Sequence, residues 1–392
     1  MIGQRLRQLR LARGLSLDEL AAEIGGLVTK QALSKYETEK SVPSPLVLNK
    51  LAATLGVKAS YLWSEPSVRI EFIGYRKGSR LPVKEQAQVE SVVREALERR
   101  VRLRQLVEVD DRPSLPVHSI PVKTLGDAEG AADRLRNTWS IGTDAISSVV
   151  GTLEDHQVHV IEVDASERFD GISAVAYGEK NDVTAAAVVS RRNVPGERQR
   201  FNLAHELGHL VIKPLDGVDE EKAAHRFAAA FLCAATTLRR EIGPSRSFLQ
   251  AGELQLLKRR FGVSIQALLY RMRDLGIIAE GHYKQWCMNI NRMGWRRREP
   301  GELAAEKPQW LNQKVLRAVS EGLLPREDAE RMLCQSVPTD QPISLTERRA
   351  FLKLPTEQRR RILAEQAEKI AEAYADDSAA REEMQGGDLV TY

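Results

Sequence analysis

Apolar residues in the first 66 positions recur at three- and four-residue intervals in short blocks, which predicts small helices rather than strands. Leu6, Leu9 and Leu11 mark the first helix. Ser16, with Glu19 three residues on, forms a capping box that opens a second helix over 17–24. Gly25-Gly26 breaks it, and Thr29 caps a third helix through Tyr36. Ser41-Val42-Pro43-Ser44 leads into a fourth, with Leu46, Leu48, Leu51 and Leu55 apolar, and 58–63 forms a last short helix. Residues 67–112 read as a helical connector whose long charged helix, 84–107, carries Val89, Val92, Val93, Leu97, Val101 and Leu106 on one stripe. Arg99, Arg100 and Arg102 are expected on its solvated face.

The pattern changes in 113–245. Amphipathic helices are expected over 125–139 and 143–155, then strands over 158–163, 172–177 and 185–190, then two more helices. Helices, a small sheet, then helices make an α+β order that is mostly helical. Residues 246–338 are helical again. The pair 254–261 and 264–275 has a helix-turn-helix look, but Leu268, Leu269, Met272 and Leu275 favour a packing unit. Arg296-Arg297-Arg298 is expected as a solvated turn and Trp310 as a packing anchor. Residues 339–392 form a linker and tail, with Pro338, Pro342 and Thr339-Asp340-Gln341 before a helix over 356–374.

Bulk composition narrows the classes. A chain of 392 residues exceeds one ordinary domain, and 42% hydrophobic residues permit real cores. The net charge of +4 is a mild basic bias, compatible with nucleic acid. Cys233, Cys287 and Cys334 are too scattered for a disulfide framework or a zinc knuckle. With no membrane-spanning apolar run and no apolar signal core, a cytoplasmic protein with no membrane contact is expected.

His205-Glu206-Leu207-Gly208-His209 carries the chemistry. Imidazoles at i and i+4 share a helix face and can grip one Zn²⁺, while Glu206 can act as general base. A third ligand should come from a nearby helix. Ile212 and Leu215 occupy the places where a metzincin has glycine and histidine, which excludes that class. After the turn at Asp216-Gly217, a helix beginning near Asp219 offers Glu220, Glu221 and His225, with the last two one turn apart on one face.

Two resemblances sharpen these readings. The residues Leu17-Asp18-Glu19-Leu20-Ala21, Gln31-Ala32-Leu33-Ser34-Lys35-Tyr36-Glu37, Pro43-Ser44 and Leu51-Ala52 resemble the lambda-repressor-like (XRE-type) helix-turn-helix over 1–66. The resemblance implies that Thr29, Lys30, Gln31, Ser34 and Lys35 face operator DNA, that Leu33 and Tyr36 face the core, and that the protein is a homodimer, since one such unit reads a half-site. Nine basic against six acidic residues in this stretch suit that role. The turn Gly25-Gly26-Leu27-Val28 is about two residues longer than the commonest family form.

The runs Phe169-Asp170-Gly171-Ile172-Ser173, Gln199-Arg200-Phe201-Asn202-Leu203-Ala204 into the motif, and Glu221-Lys222-Ala223-Ala224-His225-Arg226-Phe227-Ala228-Ala229 resemble the ImmA/IrrE family of zincin-like metalloendopeptidases. The resemblance implies Zn²⁺ held by His205, His209 and Glu221, Glu206 as the catalytic residue, and a repressor-like protein as substrate. His225 stands where the family has Asn and remains a second possible ligand; Glu220 ranks third.

A third likeness concerns the tail. Arg349-Ala350-Phe351-Leu352, Leu354-Pro355, the 359–368 helix and Gln385-Gly386-Gly387-Asp388 resemble small antitoxins encoded beside PIN-domain ribonuclease toxins. The expected protein is a DNA-binding regulator with zinc endopeptidase activity on a repressor-like protein or on its own chain. The alternative is a non-proteolytic autorepressor or antitoxin that neutralises a ribonuclease toxin through its tail. A substrate strand is expected to add at a sheet edge near 171–177.

Overall fold

Three side-chain caps set out the N-terminal bundle in the computed structural model, which describes residues 2–73, 81–108, 115–337 and 351–375. Its helices are α1 (Ile2–Ala12), α2 (Leu17–Glu23), α3 (Lys30–Glu37), α4 (Pro45–Thr54) and α5 (Ala59–Trp63). Ser16 and Glu19 close both halves of a capping box, Thr29 accepts from the Ala32 N–H, and Ser44 accepts from the Val47 N–H. Leu6, Leu9, Leu20, Leu33, Leu51 and Leu55 are fully buried in one cluster. Gly25 and Gly26 turn the chain between α2 and α3 at φ 77° and 70°, values that side chains with a Cβ resist.

The 67–112 segment contributes a strand as well as a helix: β1 (Arg69–Ile73), then α6 (Val83–Val107). β1 is five residues long and escapes sequence reading because a run so short fits either period. Val89, Val93, Leu97 and Val101 of α6 pack on the main sheet. On another side of α6, Glu98 accepts two hydrogen bonds from Arg5 at 2.5 and 2.8 Å, and Glu95 accepts two from Arg13 at 2.9 and 3.4 Å. The arginine face of α6 is therefore not solvated as expected. Arg99 donates to Glu95 and Arg102 to Glu98. Arg100 is buried and donates to the Ala96 carbonyl; burial lowers its pKa to about 10.

The remaining elements of the larger body are β2 (Ile120–Val122), α7 (Asp127–Thr138), α8 (Val149–Asp155), β3 (Val158–Val163), β4 (Gly171–Tyr177), β5 (Val183–Arg191), α9 (Gly196–Val211), β6 (Ile212–Pro214), α10 (Glu220–Leu232), α11 (Ala235–Ile242), α12 (Ala251–Phe261), α13 (Ile265–Asp274), α14 (Glu280–Arg292), α15 (Trp310–Ser320) and α16 (Arg326–Leu333). The four-stranded sheet runs β1-β4-β5-β3, with β4 antiparallel to both neighbours and β3 parallel to β5. Period-two alternation divides β4. Ile172, Ala174 and Ala176 join the α6 side, while Val175 joins the α7–α14 side and Ser173 reaches α9.

One helix boundary differs from expectation. The helix expected over 143–155 starts only at Val149, because the Ser148 hydroxyl caps it through the Gly151 N–H. The motif helix ends at Val211, and Ile212–Pro214 pairs in parallel with Ile120–Val122. One apolar cluster runs from Val122 to Ile290. Leu268, Leu269 and Met272 of α13 are fully buried in it, as a packing unit requires. Trp310 is also buried, its ring edge-on to His159 at 4.4 Å between centroids.

Residues 336–392 form a second unit, in which α17 (Thr356–Ala375) is described. Leu352 and Leu363 are exposed. The Gln385-Gly386-Gly387-Asp388 run lies outside the described residues. Among the described residues no helix is long and apolar enough to cross a membrane.

Candidate functional site

α9 and α10 pack tightly at Gly208. A Cβ there would stand 3.1 Å from Phe227 Cδ1 and 3.2 Å from Ala224 Cα, so the missing side chain lets the helices close. Asp219 caps α10 by accepting from the Lys222 N–H, which places Glu221 in the first turn, facing His205 and His209. The two histidine Nε2 atoms are 3.2 Å apart. Glu221 Oε2 lies 3.3 Å from His205 Nε2, and Glu221 Oε1 lies 3.4 Å from His209 Nε2.

These separations bear on what the trio can hold. Donors about 2.0–2.1 Å from a tetrahedral Zn²⁺ stand roughly 3.3 Å apart from one another. Glu220 makes a different contact: its Oε1 is 3.1 Å from His209 Nδ1. With Nδ1–H donating there, His209 presents a lone pair at Nε2. Two imidazole nitrogens and a carboxylate at these separations could hold one cation, and this donor set fits zinc. His225 stands outside this trio. Its ring meets His205 edge-on with centroids 5.4 Å apart and packs 4.8 Å from the Phe201 ring.

Glu206 is buried beside the trio, under β4. Ser173 Oγ lies 2.7 Å from the Glu206 carbonyl oxygen and 2.9 Å from its Oε2. A Cβ on Gly171 would come within 2.9 Å of Glu206 Cγ, Glu206 Oε1 and the Val189 carbonyl oxygen. Gly171 thus makes room for the carboxylate and Ser173 orients it. Neither was singled out from sequence as a site residue, although period two puts 171, 173 and 175 on one face. The edge expected to receive substrate is already taken: β1 pairs with β4 from Arg69↔Tyr177 to Ile73↔Ser173.

The other expected site residues lie on α3 or, for Thr29, at its N-cap. Thr29, Lys30, Gln31 and Lys35 are exposed and Ser34 is half-buried. Thr29 Oγ1 is engaged in capping at 3.3 Å from the Ala32 N–H, and Lys30 pairs with Asp18 at 2.9 Å. Leu33 is buried and Tyr36 packs against the bundle core. This leaves Gln31 and Lys35 as the expected base- and phosphate-facing side chains least tied to the bundle.

Comparison with known proteins agrees with both halves. Residues 6–62 match the helix-turn-helix family model, and residues 155–273 match that of the IrrE N-terminal-like domain. A 62-residue stretch is 37% identical to a prophage-derived uncharacterized HTH-type transcriptional regulator of Bacillus subtilis (strain 168). That stretch is 16% of this chain and 56% of the relative, so the chain spans about half the length of the curated relative it matches. The chain therefore joins an N-terminal XRE-like helix-turn-helix domain to an IrrE/ImmA-like domain of a metallopeptidase family.

Proposed function

We propose that this protein is a DNA-binding transcriptional regulator that is also a zinc endopeptidase, cutting a repressor-like regulatory protein. The observation that carries the reading is the convergence of His205, His209 and Glu221 beside a buried, oriented Glu206. When bound, zinc supplies Lewis acidity, lowering the pKa of a water in its open position and polarising the scissile carbonyl. His205, His209 and Glu221 hold the metal, and Glu220 fixes the His209 ring. The Glu206 carboxylate takes the proton of the attacking water and returns it to the leaving amine nitrogen. On the DNA side, Gln31 reads a base edge while Lys35 contacts phosphate, with two copies covering two half-sites.

The test is a comparison of cellular protein fragments made by wild type and by Glu206→Gln. The variant is expected to keep its metal and its operator while losing all specific fragments. Fragments of the chain itself would identify self-cleavage, and an unchanged fragment set would refute the mechanism.

A further inference from the structure

We propose that the groove beside the metal-binding trio receives an acidic segment of the protein substrate; the inference rests on the peptidase reading above. A groove of about 610 Å³ starts at Phe201 and Asn202, one turn before His205, and ends at the turn carrying Arg296-Arg297-Arg298. His225 lines it and also lines an adjoining groove of about 560 Å³ that reaches Glu221. A chain lying along both passes Glu221, the member of the trio on α10. This route matters because the outer edge of β4 is occupied by β1.

Charge selects the occupant. Among the described residues, Arg191, Arg296, Arg297 and Arg298 make no ion pair, and the Arg191 Nε is buried without a hydrogen-bond partner. Two of the four carboxylates lining the groove are engaged elsewhere: Glu197 and Glu299 hold the buried Lys258 at 2.6 and 3.1 Å. Glu299 also accepts from the Ile265 N–H at 2.8 Å, which pins the chain immediately after the three arginines. Four guanidiniums therefore meet only Glu167 and Glu302. Guanidinium groups bind carboxylates in two-pronged pairs, so aspartate and glutamate side chains match this wall. The two remaining glutamates repel a phosphate backbone but can accept peptide N–H groups, which favours a peptide over a nucleic acid strand.

The experiment uses the full chain with zinc bound, carrying Glu206→Gln. Fluorescein-labelled peptides of one length, rich either in Asp and Glu or in Lys, are titrated by anisotropy. The acidic peptide is expected to bind at least about tenfold more tightly. Replacing all three arginines by serine should remove that preference, and R297E/R298E should turn it toward the lysine peptide. Equal binding of the two peptides overturns the proposal. So does a single-stranded oligonucleotide that displaces the acidic peptide and loses its own binding in the serine variant. Wild type then separates the two readings. Acidic binding without cleavage of any peptide sinks the peptidase reading alone, and cleavage without charge preference sinks this one alone.

Discussion

The Ser173 hydroxyl lies between two acceptors on Glu206, the backbone carbonyl at 2.7 Å and the side-chain Oε2 at 2.9 Å, and its one proton is shared between them. A strand of the sheet thereby orients the carboxylate that follows the first histidine of the motif. Ser173→Ala leaves Glu206 in place but less fixed. A hydrogen bond to a charged group contributes about 1.5–3 kcal/mol, so kcat should fall about tenfold to a hundredfold with zinc content unchanged. A kcat equal to wild type would show that Glu206 needs no help from β4.

Glu220 and Glu221 are neighbours with different partners, and zinc titration against a competing chelator should separate them. Glu220→Ala removes the group that fixes the His209 ring and should weaken zinc about 10- to 100-fold. Glu221→Ala removes a proposed ligand and should weaken it further. His225→Ala should leave the affinity unchanged; a loss as large as that of Glu221→Ala would put His225 in the ligand set.

The Arg5–Glu98 pair ties α1 to α6, and both side chains are buried. Arg5→Met leaves the buried Glu98 with Arg102 as its remaining charged partner and should cost about 1.5–3 kcal/mol in urea denaturation. Arg5→Met with Glu98→Met should recover part of that loss, because the buried carboxylate that had lost its two-pronged partner is gone. A double variant no more stable than the single one would mean that geometry, not charge, is what the pair supplies.

His159 is buried, and that burial, reinforced by Arg100 and Arg104, holds its pKa well below the ordinary 6.5. Folded protein keeps this imidazole neutral while the unfolded chain protonates near 6.5. Its contribution is therefore intact above that pH and declines as pH falls toward the folded value, at up to about 1.4 kcal/mol per pH unit. Stability measured at pH 7.5 and 5.5 should drop less for His159→Phe than for wild type. Equal drops would show that other groups carry the acid sensitivity.

Local features were the readable ones. Ser16, Thr29 and Ser44 cap the helices that their types and positions predict, and the strands β3, β4 and β5 lie within two residues of the expected ranges. β1 was not readable, since a five-residue segment acquires its state only by pairing with β4, about a hundred residues away. The buried Arg100 was hidden for a related reason. Helical spacing shows which residues share a face, but not that α6 has neighbours on more than one side.

By itself the sequence determined the types of the main helices and strands, the helix-turn-helix, and the two histidines and glutamate of the motif, because all depend on contacts within a few residues. Tertiary structure decided how the acidic pair at the start of α10 divides its work, with Glu221 facing both Nε2 atoms and Glu220 facing Nδ1 of His209. It also decided that Ser173 and Gly171 shape the pocket of Glu206 and that Arg191, Arg296, Arg297 and Arg298 line the groove that starts at Phe201 and Asn202. Those outcomes depend on how closely α10 packs against α9 at Gly208 and which face of β4 turns inward, distances set by packing between segments far apart in the chain.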